Sequence, residues 1–108
     1  EPKDSLAIDM LFKAAEVSMG IGQGPAAVKY FNTVAEHENY GKRAEALFLA
    51  GFCEENVNQD TAKARFYYEK FLDQHPQHKL AEDAGFSIKN MQMTDEELIE
   101  LFEKNLKK

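Results

Sequence analysis

The sequence contains almost no cysteine and no long apolar run, and both shortages limit what the protein can be. Cys53 is the only cysteine among 108 residues, so no internal disulfide can form, and a single cysteine is compatible with a cytosolic or an exported protein. No apolar run approaches the roughly 20 residues that a helix needs to cross a bilayer. We therefore expect no transmembrane segment.

The sequence also lacks an excess of positive charge. It has 13 Lys and Arg against 19 Asp and Glu, which gives a formal net charge of -6. Binding to the phosphates of a nucleic acid needs a basic surface, so we expect no nucleic acid partner and favour a basic or neutral protein surface. With 44% hydrophobic and 30% charged residues, residues 1–108 have the composition of a single globular domain.

Apolar residues recur at helical spacing in the first third of the chain. Intervals of four, three and four residues predict a helix that begins near Asp4 or Ser5. Glycines in the segment 20–24 end it, and Pro25 begins a second helix that stops around residues 39–41. The apolar face of the first predicted helix consists of Met10, Ala14, Val17 and Ile21.

The segment from residue 44 to residue 76 reads as a hairpin of two helices. Asp60 or Thr61 can cap the second of these helices, and Pro76 disfavours helical geometry at His75, where that helix should end. A fifth helix follows over 81–91. Thr94 and Glu97 have the spacing of a capping box at the start of a sixth helix. The sequence therefore predicts an all-α protein of about six helices, with short connections that make neighbours antiparallel.

The helices repeat themselves along the chain. Leu11 and its neighbours return at Leu47, 36 positions later, and Ala27 returns at Ala64, 37 positions later. A period of this length built from helix, turn and helix is typical of a helical solenoid. Small residues recur where the two helices of a pair should approach closely, namely Ala15, Ala27, Gly51 and Ala64.

The spacing of small and large residues in the second pair resembles the tetratricopeptide repeat. The central turn of this pair holds one residue more than that of the first. The resemblance implies antiparallel helix hairpins stacked as a short right-handed α-solenoid. It places repeat 1 at about 5–39, repeat 2 at about 42–76, and a third repeat or capping pair at about 79–106. The positions that carry the resemblance are Leu47, Ala50, Gly51, Ala64, Tyr68 and Pro76.

The end of the second pair, residues 71–76, is similar to repeats of bacterial cell-envelope proteins. This narrower resemblance favours the periplasm or an outer-membrane-anchored lipoprotein over the cytoplasm. The sequence begins at Glu1 rather than at methionine, from which we expect that an upstream segment, such as a signal or an anchor, has been removed.

The family resemblance implies a non-enzymatic scaffold that binds a peptide or a partner protein in a concave groove lined by the first helix of each pair. Mixed acids and aromatics would suit a peptide with basic and apolar side chains. Phe12 and Phe48 have core packing as the alternative, and Phe52 fits either role. The groove would consist of Asp9, Phe12, Glu16 and Met19 from the first repeat and of Glu45, Phe48, Phe52, Glu55 and Asn56 from the second.

An alternative function is a self-assembling, homo-oligomeric component of a bacterial cell-envelope complex, because a short solenoid leaves its end faces exposed. Other kinds of site have little support. The glycines of segment 20–24 join two helices rather than follow a strand, and His75 and His78 lack a nearby cysteine or acid at ligand spacing. Cys53 has no base arranged beside it. We expect no catalytic site, cofactor, metal or small-molecule substrate.

Overall fold

The computed structural model describes residues 2–91 and 95–106, and all regular structure in these ranges is helical. The predicted fold class, an all-α arrangement of six helices, is confirmed. The helices are α1 (Pro2–Gly20), α2 (Gly24–Ala35), α3 (Arg43–Asn56), α4 (Thr61–Gln74), α5 (Ala81–Met91) and α6 (Asp95–Leu106).

Both ends of α4 follow local sequence signals, whereas α1 begins at Pro2, before the predicted start at Asp4 or Ser5. Asp60 caps α4, because its side chain accepts a hydrogen bond of 3.0 Å from the backbone N–H of Lys63. Helix α4 then ends at Gln74, two residues before Pro76, as predicted. Helix α2 ends earlier than predicted, at Ala35, and leaves a loop over 36–42. The predicted cap at Thr94 lies outside the described residues.

The turns inside the first two hairpins differ by one residue. Residues 21–23 join α1 to α2, and residues 57–60 join α3 to α4. Each turn contains one residue with positive φ, Gly22 at 83° and Gln59 at 55°. Glycine adopts this left-handed geometry at no steric cost, whereas glutamine does so with strain. The turn over 57–60 therefore holds the extra residue, and Gln59 instead of a glycine takes its positive-φ position.

Consecutive helices pack against one another in chain order. The extensive contacts among the described residues join α1 to α2, α2 to α3, α3 to α4 and α4 to α5. The molecule measures 57 × 30 × 21 Å, so it is elongated rather than closed around one centre. This is the arrangement expected of stacked helix hairpins.

Two hydrophobic cores follow each other along the stack, and α3 contributes to both. Its residues Ala46, Ala50 and Cys53 belong to the first core, whereas Ala44 and Leu47 belong to the second. The first core joins α1, α2 and α3 through Ile8, Phe12, Ala15, Ala27, Val28, Phe31, Val34, Ala46, Ala50 and Cys53. The second joins α3, α4 and α5 through Ala44, Leu47, Ala64, Tyr68, Phe71 and Ala84.

Small residues allow the helices of a pair to approach, as the sequence predicted. A Cβ atom at Gly51 would lie 2.9 Å from two ring carbons of Tyr68, so α3 and α4 are in direct contact there. The same aromatic pair occurs in both hairpins. The rings of Phe12 and Phe31 are 5.8 Å apart in the first, and those of Phe48 and Tyr68 are 5.5 Å apart in the second.

Candidate protein-interaction surface

The loop over 36–42 crosses α1 and meets the first group of predicted groove residues. The hydroxyl of Tyr40 donates a hydrogen bond to Asp9. Burial, the hydrogen bond to Asp9 and the negative charges of Asp9, Glu16 and Glu45 together raise the pKa of Tyr40 to about 12. Asp9 contacts this phenol directly, whereas Glu16 and Glu45 act on it through their charges. Sequence reasoning missed Tyr40, because it lies 31 positions from Asp9 in an irregular loop.

The next loop, over 75–80, meets α3 in a similar way. The backbone N–H of Leu80 donates to Nδ1 of His78 at 3.1 Å, which directs Nε2 of His78 towards Glu45, 3.8 Å away. Nearby, burial and the positive charges of Arg43 and His78 lower the pKa of His75. Glu45 and Asp9 thus hold equivalent positions, each facing a side chain from the loop that follows its hairpin.

Two of the predicted groove aromatics belong to the packed interior. Phe12 is only 8% exposed, and the ammonium of Lys42 lies over its ring at 5.3 Å from the centroid. Phe48 is half-buried and packs its ring against Tyr68 and, at 5.7 Å, against Phe71. For both residues the structure agrees with the core alternative.

Asp9 is exposed, and the predicted groove residues nearer the C-terminal ends of α1 and α3 are exposed or half-buried. Phe52 is 40% exposed, Glu16 is exposed and Met19 is half-buried. Glu55, half-buried, accepts a hydrogen bond of 2.8 Å from the hydroxyl of Tyr68. Burial of the ring and the bond to Glu55 both raise the pKa of Tyr68.

Asn56, the last of the predicted groove residues, is exposed at the end of α3. Its side-chain amide donates to the backbone carbonyl of Phe52 at 3.0 Å, one helical turn earlier. Phe52 therefore lies in the part of the predicted groove that the C-terminal halves of α1 and α3 contribute. We name it the Phe52 surface and define it by Glu16, Met19, Phe52, Glu55 and Asn56.

Comparison with known families supports this reading of the helices. Residues 45–78 match the model of the tetratricopeptide repeat family. They cover most of α3, all of α4 and part of the loop that follows. This segment matches one tetratricopeptide repeat (TPR), and the stacked hairpins that contain it are TPR-like. Repeats of this family generally act as protein-interaction scaffolds. Comparison with curated proteins and with solved structures finds no match.

The TPR-like domain also has a cleft between its second helices, α2 and α4, that sequence reasoning missed. Asn32 donates to the hydroxyl of Tyr67 at 2.6 Å across this cleft, and cavities of about 410 and 730 Å³ adjoin the pair. Basic residues recur along the cleft, and they were the available signal in the sequence. The depth of the cleft depends on the distance between α2 and α4, which periodicity does not show. The basic side chains are Lys29, Arg43, Lys63 and Lys70.

Chemical groups inside the TPR-like domain favour packing over catalysis. Cys53 is fully buried, and its thiol lies 3.6 Å from the carbonyl of Gly24. Burial raises the pKa of this thiol, and the charge of Glu54 raises it further, so the reactive thiolate is disfavoured. In the described part of the chain, no three His, Cys, Asp or Glu side chains are grouped to hold a metal ion. None of the described helices is long and apolar enough to cross a membrane.

Proposed function

We propose that the domain is a non-enzymatic scaffold that binds an extended peptide or a segment of a partner protein through the Phe52 surface. The observation that carries this proposal is the exposure of Phe52. The neighbouring aromatic residue on α3, Phe48, packs against Tyr68 and Phe71, whereas Phe52 leaves 40% of its surface uncovered. Aromatic side chains are frequent anchors of protein interfaces, because they bury a large area with little loss of conformational entropy.

The charges around Phe52 favour a partner with basic side chains. Glu55 lies one helical turn from Phe52 on α3, and Glu16 occupies in α1 the position that Phe52 occupies in α3, 36 residues later. The thioether of Met19 adds a flexible apolar contact. A segment that combines Lys or Arg with apolar residues would complement this surface in both charge and hydrophobicity.

Two other predicted groove residues, Asp9 and Glu45, contact the loops that follow the hairpins. Asp9 and Glu45 face Tyr40 and His78 and so hold the two loops against the helices. We infer that Asp9 and Glu45 orient α1 and α3, while Glu16, Phe52 and Glu55 contact the partner. Substitution of the first group should alter stability, and substitution of the second should alter binding.

Selection from a displayed library of random peptides on the immobilised domain tests the proposal. We expect the enriched peptides to combine basic and apolar residues. Phe52→Ala should weaken their binding by at least about tenfold, as for an interface anchor. Combined Glu16→Gln and Glu55→Gln should weaken binding and reduce its dependence on salt, because both negative charges are lost. The fold should persist, because the amide oxygen introduced at position 55 can still accept from Tyr68.

Phe66→Ala is the matched control, because Phe66 is an exposed phenylalanine that lies beside the α2–α4 cleft instead. It should leave binding of the selected peptides unchanged. Peptides that bind wild type and Phe52→Ala equally well, or that lose affinity only with Phe66→Ala, would move the binding site to the other side of the molecule. Recovery of no peptide at all would contradict the proposal.

A further inference from the structure

An apolar stripe runs along the outer side of α1, at the first end of the stack. Leu6, Met10, Val17 and Ile21 are each more than half exposed. Their spacing of four, seven and four residues places them on one narrow side of the helix and its extension. Four large apolar side chains aligned in this way are more than the single exposed residues that protein surfaces commonly show.

The internal repeat of the chain shows what kind of surface covers this stripe. Met10 and Val17 correspond, 36 positions later, to Ala46 and Cys53 of α3. Both of these residues are fully buried in the first core, where α3 packs against the preceding hairpin. Helix α2, the second helix of the preceding pair, packs against α3 and helps to bury these residues. The α1 stripe therefore corresponds to the face of α3 on which the second helix of the preceding hairpin packs.

Helix α6 has no extensive contact with another helix among the described residues, and it presents a second apolar surface. Ile99, Phe102 and Leu106 are exposed there, and their spacing of three and four residues places them on one side of the helix. Helix α6 follows α5 in the order in which α2 follows α1 and α4 follows α3. Helices α2 and α4 pack against the first helix of the next pair. Helix α6 has the same place in the chain order, and its apolar side is exposed.

We propose that α6 of one molecule docks on the α1 stripe of a second copy, head to tail. The contact continues the series formed by α2 with α3 and α4 with α5. One ion pair can support the contact, because exposed Lys13 lies beside the α1 stripe and α6 exposes Glu96, Glu100 and Glu103. Since the two surfaces differ, the association does not close on itself and can add further copies at either end.

Sedimentation velocity over the micromolar to millimolar range tests the proposal. The wild type should show a weight-average mass that rises with concentration beyond that of a dimer. Combined Met10→Glu and Val17→Glu blocks the α1 stripe, and combined Ile99→Glu and Phe102→Glu blocks α6. All four positions are exposed, so each double variant should keep its helical circular dichroism and remain monomeric when alone.

Mixing the two blocked variants gives the decisive result. Each retains one intact surface, so an equimolar mixture should form a one-to-one dimer and nothing larger. Should either double variant fold poorly, Leu6→Ser and Leu106→Ser block the same two surfaces more mildly. Phe66→Glu, on the exposed side of α4, is the control and should assemble as the wild type does.

Three results would overturn the head-to-tail contact. They are a wild type that stays monomeric throughout the range, an α6-blocked variant that still dimerises alone through two α1 stripes, and a mixture of blocked variants that stays monomeric. The assembly test is independent of the peptide-binding test, because Phe52→Ala should weaken peptide binding and leave assembly unchanged.

Discussion

Gly51 occupies the point at which α3 and α4 meet most closely. Any Cβ there would lie 2.9 Å from the buried ring of Tyr68 and 3.3 Å from Cβ of Tyr67. Because Tyr68 is fully buried, its ring has no free space into which to move. The absence of a side chain at residue 51 therefore sets the distance between the paired helices.

We expect Gly51→Ala to lower the free energy of unfolding by about 1–2 kcal/mol, because overpacking exceeds the gain in helix propensity. Gly85→Ala is the matched control. Gly85 also lies inside a helix, but nothing is within 4 Å of its added Cβ, so this change should stabilise the protein by about 0.5–1 kcal/mol. Urea denaturation of both variants measures the difference, and a stabilised Gly51→Ala would contradict the close contact.

Individual residues differ in how much of their role the sequence reveals. The small size of Gly51 and the capping chemistry of Asp60 are local properties, and both predictions are confirmed. Core packing of Phe12 was one of the two predicted alternatives, but the apolar face predicted for α1 was wrong, because Met10, Val17 and Ile21 are exposed. Ile8 and Ala15 are buried with Phe12 instead. The bond between Tyr40 and Asp9 could not, because it depends on the path of a loop that has no periodic pattern.

The two loops that follow the hairpins act as equivalent elements. Tyr40 in the first loop bonds to Asp9 on α1, and His78 in the second lies 3.8 Å from Glu45 on α3. The early end of α2 at Ala35 leaves the chain the length it needs to bring Tyr40 back over α1. The periodicity of apolar residues predicts how far a helix can continue. Helix α2 ends sooner, because the residues after it form the loop that brings Tyr40 to Asp9.

Tyr40→Phe tests the first loop contact, because it removes the hydroxyl and keeps the ring. At neutral pH we expect a loss of about 1 kcal/mol in the free energy of unfolding, the typical value of one hydrogen bond. Asp9→Asn should cost less, since the amide oxygen can still accept from Tyr40. Urea denaturation at neutral pH compares the two, and an unchanged midpoint for Tyr40→Phe would mean that the hydroxyl contributes nothing.

The same contact should make stability depend on alkaline pH. The folded protein raises the pKa of Tyr40 from 10.0 to about 12, so the folded state binds the phenol proton more tightly than the unfolded state. This contribution is complete below pH 10 and is lost as the pH rises towards 12. Tyr68 has a raised pKa and adds to the same loss. In urea denaturation at stepped alkaline pH, Tyr40→Phe should therefore lose less stability than the wild type over this range.

At the scale of the whole molecule, α3 occupies the central position, because it contributes to both cores. The repeat offsets of 36 and 37 residues predict this stacking. When each helix pair carries the same apolar pattern, a central pair buries it against one neighbouring pair on each side. The α2–α4 cleft was not predictable in the same way. Its shape depends on how far two non-consecutive helices stand apart, which no pattern within one helix records.

Stability should accordingly vary along the stack. We expect amides of α3 to exchange slowest with solvent hydrogen, because both cores must open before this helix unfolds. Amides of α6 should exchange fastest in dilute solution, since Ile99, Phe102 and Leu106 are exposed there. Hydrogen exchange followed by mass spectrometry measures both helices in one experiment. Equal protection of α3 and α6 would instead indicate that the domain unfolds as a single cooperative unit.

The two-sided burial of α3 has an evolutionary consequence. Small residues on one side of α3 pack against the preceding hairpin, and its other side packs against the helix that follows it. Each side of α3 therefore fits one of its two neighbours. Tandem duplication of the segment 42–76 would place a second such helix beside the first, with complementary sides already present. Such a lineage can lengthen in increments of one hairpin while its cross-section stays the same, without the need to invent a new interior.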